Sequence, residues 1–155
     1  MSANFDNHEE PKLDPKLFAL DHTMSLKALK KEIGQLALSA DMKALIIDLA
    51  GFTIKVAGKV VELGRKILQV ALALLRAFPN TAFGAITGLI LGRLIAKIPV
   101  LGQKLSTFFT PLLVMLGVGK GAIMDLASGA LGRNMDAFID AVADVFGLGS
   151  AELQA

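Results

Sequence analysis

Three sets of residues in this chain have types and spacings that could carry chemistry. The run GVGKGA, residues 117–122, sets glycines around Lys120 in the manner of a phosphate loop. A P-loop also needs an earlier glycine, a Ser or Thr directly after the lysine, and a preceding strand. Here Gly121 follows Lys120 and an apolar helical pattern precedes the run, so it reads as a flexible joint between helices. A dinucleotide fingerprint fails the same strand–turn–helix test. Asp136, Asp140 and Asp144 recur every fourth residue, which places a carboxylate stripe on one helix face. A bound cation needs more converging oxygens than these, and Asp125 is the only other candidate close in sequence. The stripe therefore reads as a solvated face, or as a partner for the basic residues of another helix. His8 and His22 lack the spacing of a metal pair, and no serine has a nucleophile-elbow context or a histidine in the body of the chain to activate it. No cofactor, metal or small-molecule substrate is expected, and the chain reads as a non-enzyme.

Composition narrows the setting. Of 155 residues, 54% are apolar and 15 more are Gly, yet there is no Trp, Tyr or Cys. Without cysteine there are no disulfides and no thiolate chemistry. The lack of Trp and Tyr removes the usual membrane-interface belt and the best base-stacking anchors, so nucleic acid is not an expected partner. The net charge of +2 conceals a division into an acidic start, a basic middle and an acidic end. Such a basic middle suits anionic lipid or pairing between segments. No secretory signal is expected, because the first residues are polar and acidic.

The elements that must position these residues are all helical. Residues 1–22 read as a flexible acidic tail able to dock through Leu17, Phe18 and Leu20. Residues 23–78 read as amphipathic helices, a short one followed by a long one over 41–78, with Ser39 or Asp41 as its N-cap. A heptad supports the long helix: Ile47, Ile54, Val61, Leu68 and Leu75 share one position, and Ala50, Ala57, Gly64 and Ala71 share another. Asp48, Lys55, Glu62, Gln69 and Arg76 form a polar row. Unbroken, the helix would be about 55 Å long, and its large-and-small seam would allow close self-association. No alternating run signals a strand.

Residues 79–120 predict a hydrophobic helical hairpin. There are 16 uncharged residues between Arg76 and Arg93, and 15 between Lys104 and Lys120, with a Pro/Gly turn between the two arms. Gly84, Gly88 and Gly92 recur every fourth residue, Ala96 extends the row, and Gly117 and Gly121 form a second, shorter instance. Each helical Gly costs about 1 kcal/mol relative to Ala, so such a row implies a compensating close helix contact. The arms are shorter than the about 20 residues of an ordinary span. Flanking Arg and Lys can snorkel, and if the hairpin spans, its basic turn is expected on the cytoplasmic side. Residues 121–155 predict a Gly-rich joint and a C-terminal acidic amphipathic helix capped by Asn134.

The hairpin is similar in architecture alone to those of helical pore-forming toxins, with no residue-level motif in common. The expected protein is an all-α, membrane-associated homo-oligomer forming a pore, collar or scaffold. Its packing residues would be Ala50, Ala57, Gly64, Ala71, Gly84, Gly88, Gly92, Ala96, Gly117 and Gly121. Its anionic-lipid contacts would be Lys55, Lys59, Arg65, Lys66, Arg93, Lys97 and Lys104. Two alternatives remain open at this point: a soluble or peripheral lipid-binding protein that sequesters its hairpin, and a soluble homo-oligomeric shell or filament component.

Overall fold

The computed structural model describes residues 13, 15–20, 23–125, 129–147 and 151–153, and its architecture is overwhelmingly helical. The tail up to residue 12, including His8, lies outside the described residues, as does His22. A short 3-10 turn, Pro15–Phe18, leads in, and the expected docking of this segment is seen at Phe18. That ring is buried and stacks on Phe138, with centroids 6.3 Å apart. Helix α1, Leu26–Gly34, starts at Ser25, whose hydroxyl accepts from the Ala28 amide, and buries Leu29 and Ile33. Helix α2, Ala40–Leu49, is capped in the same way by Ser39, which accepts from the Met42 amide at 3.1 Å. Both serines satisfy amides that would otherwise be orphaned at a helix start.

The single helix expected over 41–78 is corrected here: the chain folds it as helix, β-hairpin, helix. After α2 come β1, Ile54–Val56, and β2, Lys59–Val61, and then α3, Leu63–Ala77. The turn residues Ala57 and Gly58 both have positive φ, 53° and 82°, the signature of a tight two-residue type I′ turn. Thr53, Ile54, Val56, Val60 and Val61 are β-branched and favour the extended conformation, while Gly51 precedes the run and Gly58 divides it at the turn. The seven-residue repeat persists through the break because Ile54 pairs directly with Val61 across the hairpin. A spacing that is two turns in a helix is here a cross-strand partner. A third strand, β3 (Ala151–Leu153), adds antiparallel to the other edge of β1, giving the order β2-β1-β3. The expectation of no strand is corrected with it.

The hairpin over 79–120 is present. Helix α4, Phe83–Lys97, is joined by a 3-10 turn, Pro99–Leu101, to α5, Gly102–Leu116. Pro111 lies inside α5. Helix α5 closes on Gly117, whose φ of 70° and whose amide bond to Val114, with Val118 bonding back to Leu113, make a Schellman cap. A short helix α6, Lys120–Asp125, precedes α7, Ala130–Gly147. Helix α7 starts four residues before the expected cap. Asn134 lies inside it and donates from Nδ2 to the Ala130 carbonyl at 3.0 Å.

Helix α4 is the axis of the molecule. It packs against α3, α5, α6 and α7, and ten of its fifteen residues are buried. A helix apolar all round is stable in water only when other elements surround it, and α3 and α7 supply amphipathic faces for that purpose. Helix α3 buries Leu63, Ile67, Val70 and Leu74 among others, and α7 buries Leu131, Met135, Phe138, Ile139 and Val142. Burying a Leu, Ile or Phe side chain contributes about 1.5–3 kcal/mol, so these two helices and α4 hold most of the core.

Candidate functional site

The glycine row of α4 is filled from within the same chain. A Cβ on Gly84 would meet Leu116 at 3.1 Å and Met42 at 3.4 Å; on Gly88, Leu112 at 3.5 Å and Ile123 at 3.8 Å; on Gly92, Met124 at 3.1 Å and Phe109 at 3.2 Å. The row thus receives side chains from α2, α5 and α6. Ala96 continues it only as far as an exposed position on the last turn. Gly117 is a cap, and Gly121 is exposed with nothing within 4 Å of where a Cβ would sit, so these two do not extend the seam. The seam expected along 41–78 is divided. Ala50 is buried at the end of α2, Ala57 occupies the exposed β-turn, and Ala71 is buried in α3. Gly64 has a separate duty: its Cβ would fall 1.8 Å from the Leu49 carbonyl oxygen, where the ends of α2 and α3 touch through their backbones.

The expected lipid-contact residues also part company. Lys66 is fully buried, which corrects its reading as a headgroup contact. The break at the β-hairpin turns α3 so that this lysine faces inward. Among the described residues no buried side-chain nitrogen or oxygen lacks a hydrogen-bond partner, as burial of polar groups requires. Arg65 is occupied by Glu62 at 3.1 Å and by the Met24 carbonyl. Arg93 is half-buried, donates to the Gly132 carbonyl at 2.6 Å and pairs with Asp136. One member of the carboxylate stripe is thus bound to the basic middle, and Arg76 joins Glu32 of α1 in the same manner. Lys55 is half-buried in β1. Lys59, Lys97 and Lys104 are exposed, the last two on either side of the hairpin turn.

What sequence reasoning missed is the outer edge of α5. This helix buries Leu105, Phe109 and Leu112 toward α4, and its opposite face stays open. On α5, Val114 is 75% exposed and Met115 43%, with Thr107 and Thr110 also exposed; beyond its ends, Val100 in the 3-10 turn and Val118 after the cap are 47% and 37% exposed. Pro99–Leu116 is the one stretch among the described residues long and apolar enough to cross a membrane, and only 22% of it is buried. The apolar run itself was visible in the sequence. Which of its faces lacked a partner depended on how α4 packs. No acidic residue occurs between Glu62 and Asp125, so the whole hairpin and its flanks carry only positive charge.

Beside the turn lies a cleft of about 240 Å³, open to solvent, formed where the last turn of α4 meets α6 and α7. Arg93, Ala96, Lys97, Met124, Ile139 and Asp140 line it. No group of three or more His, Cys, Asp or Glu that could hold a metal ion occurs among the described residues. The chain has no significant match among known protein families, curated proteins or solved structures.

Proposed function

We propose that this protein is a non-enzymatic lipid-binding protein that docks lengthwise on an anionic membrane surface through the outer edge of α5 and keeps α4 sequestered until the hairpin is released into lipid. The observation that carries this reading is the unequal burial of the two arms: α4 is enclosed by four helices, while α5 leaves Val114 and Met115 in water and Val100 and Val118, just outside its two ends, are exposed as well. An exposed apolar edge in an acid-free region flanked by Lys97 and Lys104 has the composition of a helix that lies in the membrane interface. Val100, in the 3-10 turn before the fifteen-residue α5, and Val114, near its far end, place exposed apolar side chains about 20 Å apart, which favours a helix lying along the surface rather than end-on to it. No acidic residue lies between Glu62 and Asp125, so the α5 edge itself carries no carboxylate. Insertion follows only once α3, α6 and α7 leave α4, and self-assembly into a pore, collar or scaffold through the Gly84–Gly88–Gly92 row also needs the side chains of α2 and α5 to leave that row.

Flotation with vesicles containing phosphatidylglycerol tests the reading. Wild-type protein is expected to float at low ionic strength, and Val114→Asn with Met115→Gln, which removes apolar surface without adding charge, is expected to lower vesicle affinity about tenfold or more. An alkaline carbonate wash then separates docked from inserted protein. Wild-type protein that stays at the bottom as a defined oligomer, dissociated by the same double substitution, would overturn the membrane reading and assign the edge to a second copy of the chain.

A further inference from the structure

The cleft beside the hairpin turn has a charge arrangement that the fold does not use. Its floor is apolar, built from Ala96, the half-buried Met124 and the buried Ile139. Three charged side chains stand around that floor, and one of them, Arg93, is already held by Asp136 and the Gly132 carbonyl. The other two, Lys97 on α4 and Asp140 on α7, are exposed on the same cleft, and neither has a salt bridge with the other or with any described residue. An ammonium and a carboxylate that share an opening without meeting are complementary to a ligand carrying the opposite pair.

We propose that this cleft binds a zwitterionic phosphoethanolamine group, with its phosphate on Lys97 and its ammonium on Asp140, across the apolar floor of Met124 and Ile139. Each part of the ligand follows from a feature of the site. The volume of about 240 Å³ falls below the about 300–1,000 Å³ of drug-sized pockets, so a headgroup fits and an acyl chain does not. Lysine binds phosphate as a point charge, and the Arg93 guanidinium beside it adds positive potential without being drawn from Asp136. A primary ammonium can donate to the Asp140 carboxylate. A quaternary one cannot, and it is ordinarily held by an aromatic cage, which this cleft lacks. Selection of phosphoethanolamine over phosphocholine is therefore part of the proposal. The same chemistry has two sources, a phospholipid headgroup and a free phosphoethanolamine compound. The position of the cleft at the hairpin turn favours the lipid, and for that source alone the proposal rests on the membrane reading.

Titration of the full-length protein with soluble phosphoethanolamine, followed by NMR shifts of backbone amides, tests the site directly. Saturable shifts confined to the last turn of α4, α6 and the middle of α7 are expected. Affinity should fall at least fivefold in Lys97→Ala and in Asp140→Asn, and phosphocholine should bind at least fivefold more weakly. Both side chains are exposed and unpaired, so the two variants are expected to melt with the wild type. Absence of saturable shifts, or equal binding of phosphocholine, or unchanged binding in both variants, would overturn the site. Flotation with vesicles of phosphatidylglycerol, with and without phosphatidylethanolamine, separates this from the broader reading. Flotation that ignores phosphatidylethanolamine, together with no soluble binding, removes the cleft and leaves membrane docking standing. Soluble binding by a protein that never floats keeps the cleft as a site for the free compound and removes the docking.

Discussion

At the scale of single residues, two glycines that look alike in the sequence have opposite requirements. Gly64 and Gly88 both occupy small positions in apolar helical patterns, and either can be assigned to a packing seam on spacing alone. Around Gly64 there is no room: a methyl would sit 1.8 Å from the Leu49 carbonyl oxygen and 2.9 Å from its carbon, both backbone atoms held by their own helix. Accommodating it means separating α2 from α3, which also strains the bond from the Gly64 amide to the Phe52 carbonyl at 2.8 Å. Gly64→Ala is expected to cost about 3 kcal/mol, at the upper end for overpacking, and to lower the melting temperature markedly. A methyl on Gly88 would meet the Leu112 Cδ2 at 3.5 Å, ordinary contact distance. There the helix propensity of Ala dominates, and Gly88→Ala is expected to be neutral or to stabilise by up to about 1 kcal/mol. Thermal or urea unfolding of the two variants measures this difference. Similar losses in both would mean that α4 is gripped more tightly than the side chains around Gly88 indicate.

At the scale of elements, the β-hairpin between α2 and α3 sets how those two helices meet. Its turn contains one residue that sits poorly: Ala57 adopts φ 53°, in the left-handed region that costs an L-residue with a Cβ about 1–2 kcal/mol. Asn tolerates that region and Asn-Gly is the preferred pair for a type I′ turn. Ala57 is exposed, so Ala57→Asn disturbs no packing and is expected to stabilise by about 1 kcal/mol, read as a higher urea midpoint with an unchanged slope. A loss of stability would show that the turn conformation differs from the one described. The same hairpin explains what the sequence could and could not disclose. The apolar arms and the Pro/Gly turn between them were legible from local chemistry, and so was a cap at Ser39 or Asp41, of which the structure uses Ser39. The strands were legible in principle from the β-branched run around Ala57–Gly58, but the seven-residue repeat spoke for a helix. That repeat counts Ile54 and Val61 as neighbours whether they lie two helical turns apart or face each other across strands. Burial of Lys66 and exposure of Val114 were not legible at all. Each depends on which way a helix is rotated once its neighbours are in place, and an isolated apolar pattern carries no such information.

At the scale of the whole molecule, the proposed docking and the proposed release make different demands on stability. Docking uses only surface that is already exposed along α5, so it needs no part of the fold to open. Release requires α3, α6 and α7 to come off α4, which exposes Ile86, Leu89, Ile90 and Leu94, all fully buried. The population able to insert is therefore tied to the free energy of that opening, and a change of one or two kcal/mol alters it by a factor of about 5–30. Substitutions remote from the hairpin can shift this balance without touching lipid-facing surface. Gly34 ends α1 with nothing within 4 Å of where a Cβ would sit, so Gly34→Ala adds stability by limiting the unfolded chain, and Ala57→Asn relieves the turn. Combined, the two are expected to leave vesicle flotation unchanged while reducing the carbonate-resistant fraction at a fixed early time several-fold. Gly64→Ala, assayed at a temperature where it is still folded, is expected to raise that fraction. If the resistant fraction is the same in all three proteins while their unfolding midpoints differ, insertion does not pass through opening of α4. The hairpin would then stay packed at the membrane, and α5 would act as a surface anchor alone.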